Sequence, residues 1–311
     1  MERRIFISSP RNIYLDDDRM RFKSAIIKEI ENLGYKAQAF NPEDGGLGLA
    51  RGISWSSKAA EKIMKRCVGA VLLGFPYWQQ CIRTDRIKNN NAPRVSLVTE
   101  YCQFEGALAL QYNLPILAIL EENVEERLIF LSHGGDSVIK FSPEEMGTWT
   151  SNRQFTECLG SWNERVKNRW DVFLGYCSKA KETAGRIKSQ LTQLYPDIKV
   201  LDWHEDFMQG DTIITQIKTA AETCTGAIFL FTADDNINAA DSSNKSVPRD
   251  NVLFEAGYFI HAKGKKRVLI IVEKDTKVLA DLGGIIYAPL ENRNDIAPIL
   301  PNLQRFITEN L

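Results

Sequence analysis

The 311-residue sequence is short of everything a membrane, secreted or zinc protein would show. No apolar run approaches the roughly 20 residues that span a bilayer. The N-terminus, MERRIFISSPR, carries basic residues but no apolar core and no small-residue cleavage site, so it does not read as a secretion signal. Six cysteines occur, with no CxxC pair, and two of them (Cys67 and Cys224) lie inside apolar-periodic stretches. That argues for reduced cytoplasmic thiols rather than a disulfide framework. Three histidines, far apart, argue against a zinc site or a His-based triad. Charge of one sign is missing too. Thirty-nine basic and 40 acidic residues leave a net charge of −1. No overall excess draws the chain to nucleic acid or an anionic membrane.

What is present is an ordinary globular composition, 44% hydrophobic and 25% charged, on a chain long enough for two domains. Short β-like runs alternate with helical ones. IFIS (5–8), KAQAF (36–40), GAVLLGF (69–75), PILAIL (115–120) and VIKF (138–141) read as strands. Helices are predicted over 16–34, 56–67 and 98–112, the first with acids in its opening turn and Gly34 beyond its end. The order then starts again. RWDVFLGY (169–176), IKVLDW (198–203), GAIFLF (226–231), RVLIIV (267–272) and GIIYAPL (284–290) read as strands. Helices are predicted between them over 178–195, 211–224 and 249–264, with a closing one over 296–311. Strands alternating with helices mean crossover connections and a parallel sheet.

The halves read as one unit used twice. GAVLLGF parallels GAIFLF, the Pro-Arg pair at 93–94 parallels that at 248–249, and Glu105 aligns with Glu255, each followed two positions on by a small residue, Ala107 or Gly257. The predicted architecture is therefore α/β, two tandem Rossmann-like (flavodoxin-like) domains with parallel sheets. The expected division is 1–145, a linker helix in 146–168, and 169–311. Trp149, Trp162 and Trp170 are expected to pack between domains. GGLGLARG (45–52) reads as a flexible loop, and 82–92 and 232–247 as corresponding loops at strand ends, where such folds seat ligands. Asp16, Asp17 and Asp18 read as a helix start, His133 as a loop residue, and 262–267 as a solvated turn.

Polar and aromatic residues of the second half collect at strand ends. Tyr176, Cys177 and Ser178 follow the first strand. Trp203, His204, Glu205, Asp206 and Phe207 follow the second, and Thr232, Ala233 and Asp234 the third. Arg249, Asp250 and Asn251 open the helix that carries Glu255. Glu255 sits among apolar neighbours, where a charge is costly unless paired or used. Two readings follow. The carboxylate pairs with Arg249 or a lysine, or it faces a ribose carbon and stabilises the oxocarbenium-like transition state of N-glycoside cleavage, as a glycosidase carboxylate does.

A resemblance favours the second reading. SVPRDNVLFEAGYFIHAKGKKRVLIIVE (246–273) resembles the signature of bacterial TIR-like nucleotide-binding domains, the TIR domains of antiphage systems, including those fused to bacterial STING. Pro248, Arg249, Asp250, Asn251, Val252, Leu253, Phe254, Glu255, Ala256 and Gly257 carry it. The likeness extends to VFLGYCSKAKE (172–182), Trp203 and Phe207, and covers about 170–311. It implies an NAD glycohydrolase in which Glu255 is catalytic. Trp203 and Phe207 would flank a ring of the dinucleotide. Tyr176, Cys177, Ser178, Arg249, Asp250 and Asn251 would hold ribose or phosphate. NAD would be the substrate rather than a cofactor, and no metal is implied. Tyr-Cys stands where the family carries Gly-Ser. The resemblance further implies latent activity, a nucleotide second messenger or protein as activator, and a homo-oligomer when active. The product is ADP-ribose if water attacks and a cyclic isomer if an internal nucleophile does; a non-catalytic nucleotide-binding module is the third reading.

FISSPRNIYLDDDRMRFKSAI (6–26) is similar to the opening of other TIR-like and deoxyribosyltransferase-like domains, and Ser96, Thr99, Glu100 and Tyr101 precede Glu105. The first half is accordingly expected to be a sensor or scaffold with a second pocket of Ser8, Ser9, Arg11 and Glu105. Ser8, Ser9 and Arg11 would grip phosphate there or form a solvated turn. Were Glu105 catalytic, the half would be a second N-glycosidase acting on deoxynucleosides.

Overall fold

The computed structural model describes residues 2–40, 55–81, 94–131, 138–206, 212–233, 235–236, 246–276 and 285–311. The loops at 45–52 and 82–92, most of 232–247, and also His133, Phe207 and Asp234 lie outside the described residues. The chain divides into two compact units, Glu2–Asn168 and Arg169–Leu311.

The first unit comprises β1 (Arg4–Ser8), α1 (Asp17–Asn32), β2 (Lys36–Ala39), α2 (Ser57–Met64), β3 (Cys67–Gly74), β4 (Trp78–Cys81), β5 (Arg94–Leu97), α3 (Glu100–Gln111), β6 (Ile116–Glu121), β7 (Val138–Phe141) and α4 (Arg153–Lys167). Local chemistry sets the helix ends. Asp16 caps α1 by accepting from Arg19 N, Asp17 and Asp18 face its positive end, and Gly34 just beyond adopts φ +87°. The Asp triplet is thus a helix start, as its position suggested. The main sheet is wholly parallel in the order β2-β1-β3-β6-β7. All eight residues of β3 are buried, as a central strand covered on both faces requires. β4 and β5 form a separate antiparallel pair that the sequence reading did not anticipate.

The segment expected as a linker belongs to this first unit. Met146, Trp149, Phe155, Leu159, Trp162 and Val166 enter the same core as β1 and α1. Trp162 Nε1 donates to Pro115 O (3.0 Å) and Asn163 Oδ1 accepts from Tyr35 OH (2.7 Å). Trp149 and Trp162 are therefore core residues of one unit, not packing between two. An amphipathic helix advertises a buried face but not what it is buried against.

The second unit comprises β8 (Trp170–Gly175), α5 (Lys181–Leu194), β9 (Val200–Asp202), α6 (Trp203–Asp206), α7 (Ile213–Thr223), β10 (Cys224–Phe231), β11 (Asp235–Asn236), β12 (Ser246–Val247), α8 (Asp250–Lys263), β13 (Val268–Glu273), β14 (Ile286–Leu290) and α9 (Leu300–Asn310). Its main sheet is again parallel, in the order β9-β8-β10-β13-β14. Counted within each unit, both sheets run 2-1-3-4-5, the flavodoxin-like order, with a topological switch beside the first strand. The fold is thus two Rossmann-like domains with parallel sheets. The strand expected over 198–203 stops at Asp202, because Trp203 opens a short helix. The 262–267 turn is not wholly solvated: Arg267 is buried and donates from Nη1 to Thr225 O (3.3 Å). Leu303, Phe306 and Ile307 of α9 close the second core.

Among the described residues no helix is long and apolar enough to cross a membrane. Cys67, Cys102, Cys158, Cys177 and Cys224 are free thiols, four of them buried, and no described grouping of His, Cys, Asp or Glu could hold a metal ion.

Candidate functional site

The switch crevice of a doubly wound sheet opens at the carboxyl ends of its first and third strands. In the second unit those are the ends of β8 and β10. Glu255 is brought to this region by α8, which follows β10. Arg249 remains extended as the N-cap residue, and Val252, Glu255, Ala256 and Phe259 form the buried face of the helix. Glu255 is 7% exposed, enters no ion pair among the described residues, and its Oε2 is buried without a hydrogen-bond partner. Burial alone pushes its carboxyl up to about 7. Among the described residues, no arginine or lysine forms an ion pair with Glu255.

The same position in the first unit holds Glu105. Each glutamate lies six residues past its helix N-cap, Thr99 or Arg249. Burial pushes Glu105 up to about 7 as well, although two hydrogen bonds pull the other way. Ser8 Oγ donates to Oε2 (2.5 Å) and Trp55 Nε1 donates to Oε1 (3.0 Å). Trp55 is itself walled by Tyr101 (ring centroids 4.6 Å), Phe104 (5.5 Å) and Phe40 (6.3 Å). Of the four residues expected in a second pocket, Ser8 and Glu105 meet. Ser9 instead donates to Pro10 O (3.2 Å), and Arg11 is exposed.

Strand register explains the difference. Ile5 pairs with Gly69 and Ser8 with Leu72; Val172 pairs with Gly226 and Gly175 with Phe229. Aligning the two glycines places Gly175 where the first unit has Ser8. A side chain at 175 would collide with the Phe229 ring. The residue that ties down Glu105 thus has no counterpart beside Glu255.

The other expected contacts sort into rim and support. Ser178, Arg249, Asp250 and Asn251 are exposed at the rim, and Trp203 is half-buried. Tyr176 and Cys177, expected to touch substrate, turn inward. Tyr176 is 2% exposed and its hydroxyl donates to Asp202 Oδ1 (2.7 Å). Burial and that carboxylate push its pKa up. Cys177 Sγ lies 3.5 Å from Thr232 Oγ1, bridging the segments after β8 and β10. The Tyr176 carbonyl accepts from Trp203 Nε1 (2.8 Å), and the two rings lie 5.8 Å apart. Asp202 also accepts from His204 N (3.1 Å), which pins the first turn of α6. Tyr176 therefore holds Trp203 through its carbonyl, while Cys177 faces Thr232.

Sequence reasoning missed Gly175, Asp202 and the pair Glu273–Arg293. A signal for the last was present: β6 and β13 both end in glutamate.

Chemically, the second unit offers a buried carboxyl, pushed up to about 7, whose Oε2 has no hydrogen-bond partner among the described residues. A carboxylate so placed stabilises developing positive charge.

Residues 171–292 match the family model described as CAP12/Pycsar effector protein, TIR domain. A CD-NTase-associated protein 12 from Lachnospiraceae bacterium (strain RUG226) is 33% identical over 115 residues, covering 37% of this chain and 35% of that protein. A protein of the same name from Flavobacterium daejeonense is 29% identical over 147 residues, 45% of this chain and 46% of that one. The Pycsar effector protein BcPycTIR from Burkholderia cepacia is 22% identical over 191 residues, 56% of this chain and 62% of that one. The chain spans about a third of the length of the first of these relatives and less than two thirds of each of the others.

Proposed function

We propose that the chain, whose residues 171–292 match the CAP12/Pycsar effector TIR-domain model, is an antiphage effector whose second unit cleaves the N-glycosidic bond of NAD. The observation that carries this reading is Glu255: a buried carboxyl with an unpartnered oxygen at the switch crevice. Such a group costs stability unless it is used.

The chemistry needs little else. The bond between ribose C1′ and the pyridinium nitrogen breaks, and its electron pair stays on nitrogen, so nicotinamide leaves neutral. Positive charge develops over C1′ and the ring oxygen, and ionised Glu255 stabilises it. Water then adds to C1′ and releases a proton, giving ADP-ribose. Trp203 offers an indole face for a ring of the dinucleotide, and Arg249 at the start of α8 a cation for phosphate. NAD is consumed as substrate.

The first unit serves as sensor or scaffold, because its equivalent carboxyl is sealed by Ser8 and Trp55. The names of the relatives tie them to a CD-NTase or to Pycsar. A nucleotide second messenger is accordingly the proposed activator, with self-association of the chain on activation. We place the effector in the cytoplasm, where its free thiols stay reduced.

The test is turnover of NAD by the full chain, with and without cyclic nucleotides, beside Glu255→Gln. Nicotinamide release by the wild type and at least about a hundredfold less by the variant is expected. Equal release by both, or none from the wild type under any activator, overturns the reading. Chromatography of the second product separates ADP-ribose from a cyclic isomer.

A further inference from the structure

Glu273, the last residue of β13, stands apart from the residues assigned above. Its carboxylate takes a bidentate grip on Arg293, with Arg293 Nε to Oε1 at 2.5 Å and Nη2 to Oε2 at 2.6 Å. Its Oε2 also accepts from the backbone of Ala233 (2.7 Å), just beyond β10. Arg293 reaches on: Nη1 donates to Lys179 O (3.4 Å), in the turn after β8, and Arg293 O accepts from Thr183 Oγ1 (3.1 Å) in α5. One carboxylate and one guanidinium thus join the segments after β8, β10 and β14 to the end of β13. Two of those segments, after β8 and β10, follow the strand ends that frame the switch crevice.

The first unit repeats the carboxylate but not its partner's origin. Glu121, at the end of β6, is fully buried and pairs bidentately with Arg19 of α1 at 2.8 and 2.6 Å. The acid keeps its position in both sheets while the arginine arrives from opposite ends of the unit. Among the described residues, the acid of the second unit also holds a backbone amide, that of Ala233.

We infer that Glu273, through Arg293 and the Ala233 amide, is a positioning residue for NAD binding: it fixes the segments after β8 and β10 without touching substrate. A bidentate pair of this kind sets direction as well as distance, and small losses of placement are costly where a substrate must be oriented. The inference rests on the proposed NAD cleavage at Glu255.

The experiment compares NAD turnover by full-length wild type, Glu273→Gln, Arg293→Lys and Glu121→Gln, with Glu255→Gln alongside. Glu273→Gln is expected to raise KM about tenfold with kcat within about threefold. Arg293→Lys keeps the Ala233 contact and raises KM about threefold, which supplies the answer if the first variant fails to fold. Glu121→Gln breaks the equivalent pair away from the crevice and should lower the melting temperature without moving KM. Wild-type KM in both second-unit variants, or an equal rise in Glu121→Gln, overturns the inference while leaving Glu255 in its role. Absence of wild-type turnover, or full turnover by Glu255→Gln, overturns the parent reading and this one with it.

Discussion

The two units share a strand order and a glutamate at the same helix position, yet one glutamate is sealed and the other is open. Glu105 spends both oxygens on Ser8 and Trp55, whereas Oε2 of Glu255 has no partner. Both carboxyls are pushed up to about 7, Glu105 by a stronger desolvation that its two hydrogen bonds offset and Glu255 by desolvation alone. What separates them is the residue at the end of the first strand, Ser8 in one and Gly175 in the other. The packing of Phe229 keeps the glycine a glycine. Conservation of a carboxylate inside a repeat therefore says where a site can be; the neighbour on the adjoining strand says whether it is available.

The largest test of this contrast is kinetic. Glu105→Gln should leave NAD turnover within about twofold of wild type, against a loss of at least about a hundredfold for Glu255→Gln, measured as nicotinamide release. Comparable losses from both would erase the distinction.

Stability supplies the next test. A carboxyl whose folded pKa is about 7, against an ordinary 4.5, holds more protons folded than unfolded between those values. Stability is thus complete below pH 4.5 and is lost as pH rises through 7. Glu255→Gln removes that loss and should stabilise the chain by about 2 kcal/mol at pH 8 in urea unfolding, flattening the pH dependence. Glu105→Gln should bring no such gain. Glutamine gives its oxygen to the Trp55 N–H and donates its NH2 to Ser8 Oγ, but both bonds lose the charge of the carboxylate, which offsets the gain. Stabilisation by both substitutions would show that the hydrogen bonds of Glu105 count for little.

The smallest expected effect concerns support of the open site. Tyr176→Phe loses the hydroxyl bond to Asp202 and should cost about 1 kcal/mol, with an altered tryptophan emission from Trp203. A spectrum identical to wild type would mean that Trp203 is held by the Tyr176 carbonyl alone.

Much of this was legible in the residues. IFIS and VFLG, GAVLLGF and GAIFLF, and the two helices carrying Glu105 and Glu255 announced a repeated parallel unit, because strand burial and helix capping are written locally. Asp16 and Gly34 marked the ends of α1 for the same reason. The state of the two carboxyls was not legible. It depends on Ser8, 97 positions from Glu105 in the chain, and on Trp55, 50 positions away. Their meeting follows from the register of β1 on β3. The inward turn of the Tyr176 and Cys177 side chains was not legible, because strand-end residues look alike in sequence whether they turn out or in; Asp202 accepts the Tyr176 hydroxyl. The helix at Arg153–Lys167 showed its apolar face but not its destination.

The segment that matches the TIR-domain model stops at residue 292. A clone trimmed to that boundary would discard Arg293 and the whole of α9, stripping Leu303, Phe306 and Ile307 from the second core. Glu273 would then face Ala233 with no cation, and Leu269 and Ile271 would lie among the newly thinned neighbours of a cut core. Any laboratory dissection of the two halves should carry the natural tail through Leu311, or inactivity of the fragment will be mistaken for a property of its chemistry.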